Sequence, residues 1–158
     1  MPESMTPEVT EDLLPRLSAN PLRIAQAVAG RSEVQLQTAP AGGGWSAADV
    51  LAHIRASDDI LAYRAYAILA RENPPLPSYD DRRWAEVAGY RLLQFHESLH
   101  AFSLRRAELV LMLRRASPVD WQRMGVHEVS GPLALFDIIR TLIEHEEEHC
   151  AQLEAIGE

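Results

Sequence analysis

Leu135-Phe-Asp-Ile138-Ile-Arg-Thr-Leu142-Ile-Glu-His145-Glu-Glu-Glu-His149-Cys-Ala-Gln152-Leu-Glu-Ala-Ile156 is the stretch on which the fold turns. Leu135, Ile138, Leu142, His145, His149, Gln152 and Ile156 recur at spacings of 3, 4, 3, 4, 3 and 4, an unbroken helical stripe. Its ends are apolar and its middle is polar. A buried polar group left unpaired costs about 1–3 kcal/mol, so something must satisfy His145 and His149. Residues at i and i+4 share a helix face, and both imidazoles can address one divalent ion. The same spacing also admits a hydrogen-bonded or partly exposed histidine pair.

Working outward, the chain reads as four helical segments with no convincing strand. The first spans about Pro7 to Ala29, with Pro15 and Pro21 predicting a kink or a break. A glycine-rich loop then leads to Trp45-Ser46-Ala-Ala-Asp49-Val50. Ser46 is the expected N-cap, Asp49 the capping-box partner, and Trp45 with Val50 a hydrophobic staple. The second helix continues to about Glu72. Asn73-Pro-Pro-Leu-Pro-Ser-Tyr-Asp80 is a Pro-rich strap. A long third helix is expected over Asp81 to Ala116, with Trp84, Phe95, Leu99, Phe102, Leu109 and Leu113 inward. Val119 to Gly131 reads as a connector, and Pro132 as the opening of the last helix. Four amphipathic helices predict an all-α four-helix bundle, one domain over residues 1–158. About ten strap residues at about 3.3 Å each nearly span a bundle, which allows helices two and three to run parallel.

Composition narrows the chemistry. The chain has 158 residues, 15 Lys+Arg, 23 Asp+Glu and a net charge of −8. Acidity argues against nucleic acid or anionic lipid as the main partner. No run reaches the roughly 18 apolar residues of a spanning helix, and residues 1–14 do not read as a signal peptide, so the cytoplasm is the expected compartment. Cys150 stands alone, which excludes an intrachain disulfide and a multi-cysteine zinc site. It follows His149, about 100° round the helix, and reads as a small buried or partly exposed residue rather than a catalytic thiol.

A metal site needs a third ligand, and His53, at the edge of the second helix's apolar stripe, is the candidate. His96 and His100 also stand at i and i+4, beside an apolar stripe rather than within one, and His127 reads as a loop residue. His145-Glu-Glu-Glu-His149 matches the zinc-protease pattern H-E-x-x-H. Only nine residues follow it, and no strand is expected to hold a peptide, so the match reads as chance. Glu146 stays a candidate base or support for the ligands, while Glu147 and Glu148 read as a solvated face.

Three stretches resemble the DinB/YfiT-like superfamily of candidate metalloenzymes. They are Gly44-Trp-Ser-Ala-Ala-Asp-Val-Leu-Ala-His53-Ile, Gly125-Val-His-Glu-Val-Ser-Gly131-Pro-Leu-Ala-Leu-Phe-Asp-Ile-Ile, and His145-Glu-Glu-Glu-His149-Cys-Ala-Gln152-Leu. Ala134 departs from the Thr or Ser that many relatives carry. The resemblance implies an up-down-down-up bundle, frequent dimers, and a three-histidine centre at His53, His145 and His149. It further implies metal-dependent chemistry on a small-molecule substrate. Some members transfer groups to low-molecular-weight thiols, so an S-transferase is one expectation. A metal-dependent hydrolase and a non-catalytic, stress-associated metal-binding bundle are the others. Three imidazoles suit zinc best, with nickel, iron or manganese as further choices. The connector and the glycine loop are expected to line the mouth.

Overall fold

The structure, a computed structural model, describes residues 7–157; the reading of residues 1–6 lies outside them. Along the chain come α1 (Pro7–Ala27), α2 (Glu33–Gln37), α3 (Ala47–Ala70), β1 (Pro75–Leu76) and α4 (Asp81–Ala88). A 3-10 turn (Tyr90–Leu92) follows, then α5 (Phe95–Arg115), α6 (Pro118–Trp121), β2 (Met124–His127), β3 (Gly131–Ala134) and α7 (Leu135–Ile156).

The long helices α1, α3, α5 and α7 enclose two apolar clusters. One joins Leu17 of α1 to Ile68 of α3, Leu113 of α5 and Ile138 of α7. The other joins Ile24 of α1 to Val50 of α3, Phe95 of α5 and Leu153 of α7. The beginnings of α1 and α7 therefore lie where α3 and α5 end. The bundle is up-down-down-up, with α3 and α5 parallel.

A polar layer separates the two clusters. Arg106 of α5 is 2% exposed and Glu146 of α7 is 0% exposed, yet both are charged side chains. The guanidinium donates to Glu146 Oε1 at 2.7 Å, to Glu146 Oε2, and to Asp58 Oδ1 at 2.7 Å. Asn20 completes the layer by donating to Glu146 Oε1 at 2.9 Å. Arg106 also compensates α1 for Pro21, through which the helix continues. Pro21 has no N–H to offer Leu17, and the Leu17 carbonyl accepts from Arg106 at 3.0 Å instead.

Three further expectations are corrected. The helix expected over Asp81–Ala116 is two helices. Gly89, at φ 73°, closes α4 with its N–H on the Ala85 and Glu86 carbonyls, and the chain is extended again at Leu93 before α5. Trp84 accordingly sits half-buried outside the core, donating its indole N–H to Asp59 at 3.0 Å. Secondly, strands do form. β2 and β3 make an antiparallel hairpin, and β1 of the strap pairs in parallel with β2. Thirdly, Pro132 lies in β3, and α7 opens at Leu135 with Asp137 accepting the Ala134 N–H at 3.0 Å.

Candidate metal centre

Ser46 and Asp49 start α3 as the sequence predicts. Asp49 N–H donates to Ser46 Oγ at 3.1 Å, and Ser46 N–H returns to Asp49 at 2.9 Å. This cap sets His53 two turns into the helix, facing the second half of α7. His145 and His149 approach from α7 itself. The first half of the expected stripe is core, with Leu135, Ile138 and Leu142 buried beside Ile139 and Ile143; in the second half the buried face passes to Glu146, Cys150 and Leu153, and His145, His149, Gln152 and Ile156 are half-buried at its edge. The histidines thus sit half-buried along the seam between α3 and α7.

His53 Nε2 lies 3.0 Å from His145 Nε2, which lies 3.1 Å from His149 Nε2. Their possible ligand atoms all fall within 4.8 Å of one another. Imidazole nitrogens bound to one ion at about 2.1 Å, with angles of about 90–109°, sit about 3.0–3.4 Å apart. The spacing therefore fits a single divalent ion held on one side. Gln152 Oε1 can only accept, so His149 Nδ1 carries the proton at 2.8 Å and leaves Nε2 bare toward the centre. A proton on His145 Nε2 cannot serve both neighbouring nitrogens well, whereas a cation serves all three. Among the described residues, the buried Nδ1 atoms of His53 and His145 have no hydrogen-bond partner. Burial, and then the nearness of His149, push His53 and His145 below the ordinary imidazole value. Both are neutral at neutral pH, as metal ligation requires.

Trp45 forms one wall, its ring centroid 5.2 Å from that of His53 and 6.4 Å from that of His149. A cleft of about 460 Å³ opens beside His53, lined by Trp45, Arg82, Glu86, Arg91 and Leu92 among others. A second, of about 220 Å³, opens beside His145 and Thr141. Much of the first cleft's lining thus comes from α4 and the 3-10 turn, and neither the glycine loop before Trp45 nor Val119–Gly131, both expected at the mouth, lines either cleft. Asp81 lines both clefts, and its Oδ2 is 3.5 Å from His53 Nδ1. Sequence reading passed over Asp81, because beside Asp80 it looks like ordinary helix-start chemistry.

The remaining candidates lie elsewhere. Glu146 has both oxygens engaged by Arg106 in the polar layer, away from the imidazoles. Glu147 is not merely solvated, since Arg16 of α1 donates to both its oxygens at 2.9 and 2.8 Å. His96 and His100 are exposed on α5. His127 closes the β2–β3 turn, its Nδ1 accepting the N–H groups of Val129 and Ser130 at 3.1 and 3.0 Å. Among the described residues, no helix is long and apolar enough to cross a membrane.

Known proteins similar to this chain are named for metal-dependent chemistry. The chain is 29% identical over 143 residues to a candidate metal-dependent hydrolase of Oceanobacillus iheyensis, covering 90% of this chain and 79% of the relative. It is 23% identical over 152 residues to the candidate metal-dependent hydrolase YfiT of Bacillus subtilis, covering 96% and 85%. The solved YfiT structure, described as having an unusual four-helix bundle topology, superposes with a TM-score of 0.83 at 22% identity, over 99% of this chain and 90% of that one. The profile of the DinB superfamily matches residues 16–153, so the chain belongs to the DinB superfamily.

Proposed function

We propose that the protein is a metal-dependent hydrolase of a small-molecule substrate, with one divalent ion, zinc by preference, held by His53, His145 and His149. The convergence of three imidazole Nε2 atoms from α3 and α7 carries this reading. Hydrolysis is favoured because the relatives' names agree on it. A divalent ion at that position supplies Lewis acidity and a nucleophile at neutral pH. The chain's own residues do the rest. Gln152 fixes the His149 tautomer, Trp45 walls off one side, and the clefts beside His53 and His145 seat the substrate. Glu146 supports the centre through the backbone, by anchoring to Arg106 the helical turn that carries His145.

Thiol-dependent S-transfer is the second reading, and a diffusible thiol would have to supply the sulfur. Cys150 is fully buried, and burial pushes its thiol up to about 12. We place the activity in the cytoplasm, in a homodimer, with no nucleic-acid partner; the net charge of −8 supports the last point.

Elemental analysis tests the centre. The parent should carry about one ion per chain and His149→Ala none, and equal metal in both would refute the site. Small esters and amides, assayed with and without added thiol, then separate the reactions. Turnover without thiol supports hydrolysis, and turnover that requires thiol reverses the preference.

A further inference from the structure

Two of the three imidazoles leave their outer nitrogen unexplained. His149 is pinned by Gln152, but the buried Nδ1 atoms of His53 and His145 have no hydrogen-bond partner among the described residues. A metal-ligating histidine generally donates its other N–H to a carboxylate, a carbonyl or water, which fixes the ring and raises its basicity. Asp81 Oδ2 stands 3.5 Å from His53 Nδ1, a few tenths of an ångström beyond hydrogen-bonding distance.

We propose that Asp81 is the positioning residue for His53, accepting the Nδ1 proton and so holding Nε2 toward the metal centre. The proposal rests on the metal reading of the three histidines. Asp81 is the first residue of α4, which buries none of its side chains and is fastened by the Asp80 cap at one end and Gly89 at the other. A small shift of such a helix toward α3 sacrifices no core contact. Asp81 also borders both clefts, so a molecule entering either one meets the carboxylate that orients His53. Substrate seating and ligand geometry are thereby linked through one side chain.

The test compares zinc affinity, by competition with a chromogenic chelator, in the parent, Asp81→Asn and Asp81→Glu. Asp81→Asn should bind zinc about 10–100-fold more weakly, and Asp81→Glu should recover most of the loss. In the zinc-loaded parent, labelled with nitrogen-15 in histidine, the His53 Nδ1 proton should give a protected NMR signal that disappears in Asp81→Asn. The metal-free variant should melt with the parent, since the Asp81 side chain is 40% exposed. Equal zinc affinity with an unchanged His53 signal overturns the proposal. So does a cobalt-substituted spectrum in which Asp81→Asn loses an oxygen ligand, because Asp81 would then be a ligand itself. If the parent takes up neither zinc nor nickel, iron or manganese, the metal reading fails and this proposal fails with it. If the parent binds and Asp81→Asn is indifferent, this proposal alone fails.

Discussion

At the residue scale, one step along α7 separates a half-buried candidate ligand from buried packing. His149 lies on the seam with α3, while Cys150 is fully buried in the apolar cluster with Ile24 and Leu153. With its thiol pushed up to about 12, Cys150 forms almost no thiolate at neutral pH. We expect a thiol-specific disulfide reagent at pH 8 to leave the native protein unlabelled and to label one thiol per chain after unfolding in guanidinium. Rapid labelling of the native protein would show that Cys150 is accessible. The histidine pair was legible because i, i+4 spacing is local. Asp81 was not legible, because its approach to His53 depends on how α4 packs on α3. Nor did spacing reveal that Glu146 belongs to the polar layer, since its partner Arg106 lies on another helix.

At the element scale, the strap between α3 and α5 is where periodicity misled. An apolar pattern from Trp84 to Leu113 suggests one helix, yet Gly89 ends α4 and Phe95 begins another. The strap is also more than a spacer. β1 adds to the hairpin, with Val126 N–H donating to the Pro74 carbonyl at 2.8 Å. Leu76 of β1, 0% exposed, packs over Gly125 of β2. A Cβ at Gly125 would lie 2.8 Å from Leu76 Cγ and Cδ1. Gly125→Ala should therefore lower stability by about 1–3 kcal/mol through overpacking, read as a lower melting temperature. An unchanged melting temperature would mean that Leu76 yields without cost. Short strands of this kind escape sequence reading, because two to four residues carry too little alternation to register.

At the scale of the whole molecule, the polar layer ties the four long helices together. Two carboxylates, Asp58 and Glu146, share the Arg106 guanidinium. Burial, opposed by Arg106 and reinforced by Glu146, pushes the Asp58 carboxyl from its ordinary 3.8 up to about 6. The folded chain then holds this proton more tightly than the unfolded chain does. The group's contribution is greatest below the unfolded value and declines as pH rises through about 6. Asp58→Asn should remove that decline, so the parent should lose about 1–3 kcal/mol more than the variant between pH 4 and 7 in urea unfolding. Parallel slopes would show that Asp58 does not titrate in this way. Some features were settled by residues within a turn or two of one another: the N-terminal cap of α3, the amphipathic helices, and the histidine pair on one face of α7. The strap's length also made a parallel pair of central helices readable in advance. Tertiary structure alone decided the meeting of His53 with that pair, the Arg106 layer that compensates α1 for Pro21, and Asp81 at the mouth. Each of these depends on contacts between residues far apart in the chain, which spacing along one helix does not encode.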